Sequence, residues 1–299
     1  MSCFPPKRIL VAADLGASSA PALDAAKKFA WDWNADIEIV YVQPQPVIAA
    51  GPDFDGLAGS GLPAAFESKG ILEGKLRKAA AGFPAQRLKL RTVQGWPPTA
   101  LMEMARPERA DALFMGTHGY AGLDRLLTGS VAEAVVRRAQ IPVLTVPEGK
   151  ALTSVCRVLA PWNARPYATR ALRWARNLAR SFHATLDVFY AEEPGRSIGA
   201  DWAAVDRRLL SILGCGPDWT FRTRKGNARK HIIAEANSGR YQLVVLSAHR
   251  RLFASDFVLG STVERLLRHS HVPILSVPSG QLRERLITKL TAPVSARLY

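Results

Sequence analysis

The sequence predicts an α/β protein of two tandem Rossmann-like domains, each a doubly wound, five-stranded parallel sheet. Three observations lead there: the chain repeats itself, short apolar strands alternate with amphipathic helices in each repeat, and length and composition allow two cores. The repeat decides the architecture and is read first. Ile9-Leu10-Val11-Ala12-Ala13-Asp14 matches Val158-Leu159-Ala160-Pro161-Trp162-Asn163, Ala22-Leu23 matches Ala171-Leu172, and residues 37–42 match 186–191, all at an offset of 149. Farther along, residues 91–95 match 222–226, Gly129-Ser130 matches Gly260-Ser261, and residues 141–147 match 272–278, at an offset of 131. The difference of 18 is a deletion in the second copy, opposite residues 47 to about 63 of the first. That stretch is rich in Gly, Ala and Pro and reads as a surface loop. The expected domains are 1–150 and 151–280, joined near residues 148–154, with a basic tail at 281–299.

Within a copy, strand and helix alternate four times and a fifth strand closes the unit. In the first copy the strands fall at about residues 8–13, 36–42, 88–93, 112–116 and 142–146. They are short and nearly all apolar, as strands covered on both faces of a parallel sheet must be. The first helix has Ser18 or Ser19 as N-cap, Pro21 in its first turn, and Leu23, Ala26 and Ala30 at helical spacing. A helix over about 131–139 starts directly after Gly129-Ser130. The fifth strands, 142–146 and 273–277, are β-branched and uncharged, the look of edges that want a partner. In the tail, Leu282, Leu286 and Leu290 recur every four residues, one stripe of a short helix.

Composition excludes several classes. Of 299 residues, 48% are hydrophobic and 22% charged, which excludes disorder as the dominant state. No apolar run is long enough to span a bilayer. The opening MSCFPPKRIL lacks a signal-peptide core, so a cytoplasmic location is expected. Cys3, Cys156 and Cys215 are odd in number, widely spaced and free of CxxC, which excludes a disulfide framework or zinc ribbon. Two partly buried thiols and a frayed terminal one are expected. His269 and His271 have no third ligand beside them, and no metal site is expected.

The net charge of +15 is uneven. Residues 1–150 carry 17 basic and 15 acidic groups, whereas residues 151–299 carry 23 and 10, and 20 of those 23 are Arg. A basic surface attracts nucleic acid, anionic lipid or an acidic partner. The arginines are dispersed, however, with Arg165, Arg170, Arg173, Arg176 and Arg180 at helical spacing and no aromatic-interleaved RNA motif. A solvated helix face or a contact with another protein is the expectation, and nucleic acid the lesser reading.

Open parallel sheets bind ligands beyond the carboxyl ends of their strands. Two loops there carry chemistry. One is residues 12–19, with Asp14 placed to accept from a ribose hydroxyl or an adenine amino group. The other is Met115-Gly116-Thr117-His118-Gly119, then nine residues, then Gly129-Ser130-Val131. Glycines let a backbone approach phosphate, and a helix starting at Ser130-Val131 offers free N–H groups with a favourable dipole. The plainer alternative, glycines serving only tight turns, is weakened by their placement after a strand and before a helix.

Gly116-x2-Gly119-x9-Gly129-Ser130, its continuation Val131-Ala132-Glu133, the Ile141-Pro142-Val143 entry to the fifth strand and Asp14 together resemble the universal stress protein family. The resemblance covers nearly the whole chain as two tandem domains and implies strand order 3-2-1-4-5. It implies ATP or AMP as ligand, with Mg²⁺ as an accompanying ion. Adenine or ribose contacts would come from Ala12, Asp14, Val42 and Met115, and phosphate contacts from Gly116, Gly119, Gly129, Ser130 and Val131. It further implies pairing through the fifth strands, within one chain in a tandem protein, with a homodimer as a further arrangement. The role implied is a nucleotide-responsive stress regulator or chaperone-like binder with an unidentified protein partner. His118 is a common occupant of its loop; a catalytic histidine would need a partner acid or base that the sequence does not offer.

The second copy departs from this pattern. Ser247 and Arg250 replace Gly116 and Gly119, Asn163 replaces Asp14, Ala168 replaces Ser19, and Pro161 replaces Ala12, which some family members share. Only Gly260-Ser261 persists. A positive φ at Arg250 would be costly, although its guanidinium could reach an anion. Loss of ATP binding and a structural role are expected for this half. No Walker-type loop and no paired acids beyond Asp14 appear, so no dedicated catalytic residue is expected; bound Mg²⁺ and water would account for any slow hydrolysis. Three rivals stand beside this reading: an ATP-using ligase or nucleotidyl transferase, which would need an SGGxDS or HxGH-type loop absent here; a nucleic-acid-associated protein acting through the basic half; and a structural scaffold without a ligand.

Overall fold

A computed structural model describes residues 4–43, 69–117, 130–193, 202–248, 250–253, 256–259 and 261–279. In the first copy the strands are β1 (Arg8–Ala12), β2 (Asp36–Gln43), β3 (Leu88–Gln94), β4 (Ala112–Gly116) and β5 (Val143–Val146). Helices α1 (Ala20–Trp33), α2 (Lys69–Ala79), α3 (Pro97–Met104) and α4 (Ser130–Arg138) alternate with them. The second copy follows with β6 (Arg157–Pro161), α5 (Thr169–Ser181), β7 (Thr185–Glu192), α6 (Trp202–Leu213), β8 (Trp219–Lys225), α7 (Ala228–Ala236) and β9 (Leu243–Ala248). A hairpin of β10 (Arg250–Phe253) and β11 (Asp256–Leu259) precedes α8 (Ser261–His269) and β12 (Ile274–Pro278). The first-copy strands end within one residue of their predicted limits.

The sheet runs β3-β2-β1-β4-β5-β12-β9-β6-β7-β8. Each copy therefore has the predicted order 3-2-1-4-5. Neighbours within a copy are parallel. Between copies, β5 and β12 are antiparallel with Leu144 opposite Leu275, so two half-sheets continue as one ten-stranded sheet.

Helices α1, α2, α5 and α6 cover one face, with a core that includes Phe29, Trp33, Leu76, Phe114, Leu178 and Leu209. Helices α3, α4, α7 and α8 cover the other, around Leu113, Val135, Ile141, Val244 and Leu266. Both cores run across the junction between copies. On the first face, Phe29 and Trp33 meet Phe182 with ring centroids 4.7 and 5.9 Å apart, and Trp33 Nε1 donates to the Ser181 hydroxyl at 3.2 Å. On the second face, Arg268 pairs with Glu133 at 2.5 Å and Arg137 with Glu264 at 3.8 Å. These residues are related by the 131 offset, so the two helices exchange equivalent ion pairs.

Three expectations need correction. Ser19 is the N-cap of α1 by position, but its side chain caps no helix N–H. Its backbone is already helical (φ −93°, ψ −16°), so the hydroxyl turns back to the loop, accepting from the Asp14 N–H at 3.2 Å. Cys156 and Cys215 are exposed rather than partly buried: one stands just before β6, the other between two turn glycines, Gly214 and Gly216. The second-copy loop after β9 is not a plain turn with a strained Arg250. Arg250 begins β10, paired with Leu259, and has extended backbone. The deletion loop at residues 47 to about 63 and the leucine-striped tail lie outside the described residues. No helix among the described residues is long and apolar enough to cross a membrane.

Candidate functional site

The chain leaves β1 towards β2 through α1 on one face, and leaves β4 towards β5 through α4 on the other. The carboxyl ends of β1 and β4 are thus adjacent while their helices diverge, the arrangement of a topological switch point. In register, Ala12 lies opposite Met115 across β1 and β4, and opposite Val40 across β1 and β2. Val42 and Met115 are buried on the α3/α4 face, and Ala12 and Val131 pack against the same cluster half-buried. The four apolar residues of the predicted set therefore belong to one core cluster, and Ala12 and Met115 are neighbours in it. Gly116 ends β4 opposite Val146, and Thr117 continues the ladder by donating its N–H to the Val146 carbonyl.

Ser130 opens α4, a nine-residue helix, with Val131 beside it. Gly119, Gly129 and His118 lie outside the described residues. The first turn of α4 also carries Glu133, which favours the positive end of the helix and is held by two contacts from Arg268. The helix that would receive an anion is thereby tied to the second copy. Sequence reasoning missed this tie, although the 131 offset that relates Glu133 to Glu264 and Arg137 to Arg268 carried the signal.

Asp14 is committed locally. Its Oδ1 accepts the Gly16 N–H at 2.9 Å and its Oδ2 accepts the Ser18 hydroxyl. Leu15 between them has φ +61°, which this turn requires. The second copy repeats the turn: Asn163 Oδ1 accepts the Arg165 N–H at 3.2 Å, and Ala164 has φ +57°. One oxygen at this position builds the loop in either copy. The Asp14 carboxylate retains lone pairs that a sugar hydroxyl can use.

The second copy places different side chains at the corresponding strand ends. Trp162 replaces Ala13 and is buried, with the Arg208 guanidinium 5.9 Å above its ring. Arg208 also donates to the Ala164 carbonyl at 2.7 Å, and the Ser247 hydroxyl donates to the Tyr167 carbonyl at 3.2 Å. Several arginines of the second copy are engaged by other groups of the fold. Arg170 and Arg176 donate to the carbonyls of Pro278 and Ile212, Arg180 pairs with Asp218, and Arg157 and Arg222 flank Asp187. These side chains stabilise helix packing instead of forming a continuous cationic stripe. No group of three potential metal-ligating side chains occurs among the described residues.

Comparison with known proteins agrees with this layout. The model of the universal stress protein family matches residues 5–147 and again 156–278. Universal stress protein MJ0531 of Methanocaldococcus jannaschii is 30% identical over 148 residues, which cover 48% of this chain and 84% of that protein. Universal stress protein Mb2028c of Mycobacterium bovis is 26% identical over 220 residues, covering 67% of this chain and 72% of its own length. A universal stress protein from Archaeoglobus fulgidus superposes with a TM-score of 0.66 at 21% identity, over 93% of this chain and all of that one, a likeness of fold.

Proposed function

Since the chain belongs to the universal stress protein family through both of its halves, we propose that its first copy binds an adenine nucleotide, ATP or AMP, at the crevice between β1 and β4. The observation that supports this most is the adjacency of Ala12 and Met115 at the carboxyl ends of β1 and β4, in the same apolar patch of the sheet face as Val42 and Val131 of α4. A base would lie against that patch. The ribose would meet Asp14, and the phosphates would meet the backbone of Gly116, Gly119, Gly129, Ser130 and Val131. Any Mg²⁺ would arrive on the phosphates and be held by them and water, because both Asp14 oxygens already accept hydrogen bonds.

The second copy keeps the sheet, lacks the loop glycines of the first, and acts as the paired half that braces α4. The protein is then a cytoplasmic, nucleotide-responsive stress regulator or chaperone-like binder without a dedicated catalytic residue. A homodimer would have to use a surface other than β5 and β12, which are paired within the chain. A ligand-free scaffold is the competing reading, favoured by the loss of the loop glycines in the second copy.

Mass spectrometry of small molecules released from gently purified protein, with calorimetric titration of ATP and AMP into the stripped chain, tests the proposal. One nucleotide per chain, lost in Gly129→Arg, is the expected result. No nucleotide and no titration heat overturns it in favour of the scaffold.

A further inference from the structure

One turn of the first copy exposes an aromatic ring where the second copy caps a helix. β3 and β8 both run into a glycine of positive φ, Gly95 at +144° and Gly226 at +123°. The next residue, Trp96 or Asn227, is the N-cap of α3 or α7. The two N-caps share one backbone conformation, φ −77° and ψ 119° against φ −67° and ψ 114°. Asn227 does what the position favours, since its side chain accepts the Lys230 N–H at 3.1 Å. Trp96 makes no capping bond and is 71% exposed. An indole that neither caps the helix nor enters the core adds nothing to the stability of this turn.

The register of the strands places that ring. β2 and β3 stay paired to their carboxyl ends, with Val42 opposite Val93 and Gln43 opposite Gln94. The Gly95 N–H then donates to the Gln43 carbonyl at 3.0 Å. Trp96 is the next residue, so it stands at the carboxyl end of β2, just past Val42. It also begins α3, whose Leu101 and Met104 pack in the same cluster as Val42 and Met115. Pro97 and Pro98 follow at the first helical positions. A residue before proline is confined to extended backbone, as Trp96 is, so the ring is carried on a stiff turn that loses little freedom on binding.

We propose that Trp96 stacks on the base of the nucleotide held by the first copy, covering a ring that lies against Val42 and Met115. This rests on the nucleotide reading and gives the base a second face. Stacking on an indole acts on the base and leaves the phosphates alone. With Asn227 at the matching position, the second copy has no such face.

The test is calorimetric titration of ATP, AMP and tripolyphosphate into the full-length chain, with tryptophan emission followed in parallel. Trp96→Ala should weaken both nucleotides roughly tenfold and leave tripolyphosphate, which has no base, unchanged. Trp96→Phe should retain most of the nucleotide affinity and remove the emission quenching that the nucleotides cause. Trp96→Asn, the residue of the second copy, should lose affinity as the alanine variant does while the melting temperature rises, because the capping bond returns. A merely structural role would make affinity and melting temperature move together. Unchanged nucleotide affinity in Trp96→Ala, equal weakening of tripolyphosphate, or quenching that persists in Trp96→Phe overturns the proposal and leaves the nucleotide reading standing. An unsubstituted chain that binds neither ATP nor AMP overturns both.

Discussion

The two copies anchor their first strands through the same backbone contacts and different side chains. In the first, Asp111 Oδ2 accepts from the N–H groups of Lys7 and Arg8, both at 3.0 Å. In the second, Gln242 Oε1 accepts from Cys156 and Arg157 at 3.2 and 2.8 Å. An amide serves the backbone as well as a carboxylate does but does not hold a guanidinium. Arg8 therefore stays on Asp111, whereas Arg157 turns inward to Asp187. Around Asp187 the second copy gathers Arg157, Arg222, Thr220 and Tyr241 into a buried network. The first copy leaves Glu38 on a shallow, charged surface. Burial alone would raise the Asp187 pKa, but hydrogen bonds from Tyr241, Arg157 and Thr220 outweigh it and hold the carboxyl below its ordinary range. The lesson is that duplication kept the backbone and reassigned the charges: the second copy encloses its acid in a network of polar groups where the first leaves Glu38 partly open to solvent.

The sharpest way to break this contrast is to remove the acid from each copy in turn. Asp187 has no exposed side-chain surface, whereas about a quarter of Glu38 is exposed. Asp187→Ala leaves the buried Tyr241 hydroxyl without its acceptor and Arg157 without its carboxylate, and should cost roughly 2–3 kcal/mol in urea unfolding. Glu38→Ala should cost about 0–1 kcal/mol. Equal losses would show that the buried network is not what separates the copies.

Alkali should separate them by no more than that. The Tyr241 hydroxyl is pushed up to about 12, chiefly by burial and then by the hydrogen bond to Asp187. Its folded value lies above its unfolded value near 10, so its stabilisation is complete below about pH 10 and is lost as pH rises towards 12. The effect should be at most about 2–3 kcal/mol across that window. Tyr241→Phe should flatten the loss. A second copy that unfolds no earlier than the first between pH 10 and 12 would contradict this account.

Much of this organisation was legible in the sequence, for reasons that residues make plain. The offsets of 149 and 131 fixed two copies because each strand must be apolar on both faces, which leaves little freedom at positions such as Val11 and Leu159 or Leu144 and Leu275. The placement of candidate residues was legible where the backbone decides it, as at Ala12 and Met115, which stand opposite each other across β1 and β4. What was not legible depends on where side chains turn. Ser19 has the composition of a cap and works on the loop instead, because its own φ and ψ are already helical. The β10–β11 hairpin hid in a segment compared only for lost glycines, although Leu252, Phe253, Phe257 and Val258 are strand-forming residues. The Asp187 network needed three-dimensional proximity between residues up to 54 positions apart.

The junction between copies gives a weaker test. Arg268 meets Glu133 with two short contacts, whereas Arg137 approaches Glu264 only to 3.8 Å. Arg268→Gln should lower the melting temperature more than Arg137→Gln does, and the gap should narrow in about 0.5 M salt, where exposed charges are screened. If the two substitutions behave alike, the pseudo-symmetric pairs are equivalent in solution and α4 is not preferentially held.

The smallest effect on stability concerns Asp14, and it carries the most about function. Asn163 makes the same turn in the second copy with an amide oxygen, and both loops place their next residue at positive φ. Asp14→Asn keeps the oxygen that accepts the Gly16 N–H. It removes only the charge that strengthens the bond from Ser18. Unfolding free energy should change by less than about 0.5 kcal/mol, the range of a substitution that leaves packing intact. Nucleotide affinity should fall roughly tenfold, because a ribose hydroxyl then meets a neutral amide in place of a carboxylate. Measuring both on one variant separates the two duties of the residue. A stability loss above 1 kcal/mol would mean that the copies build this turn differently despite their matched geometry. Unchanged affinity beside unchanged stability would move the sugar away from Asp14 and leave the apolar patch and the start of α4 as the whole of the site.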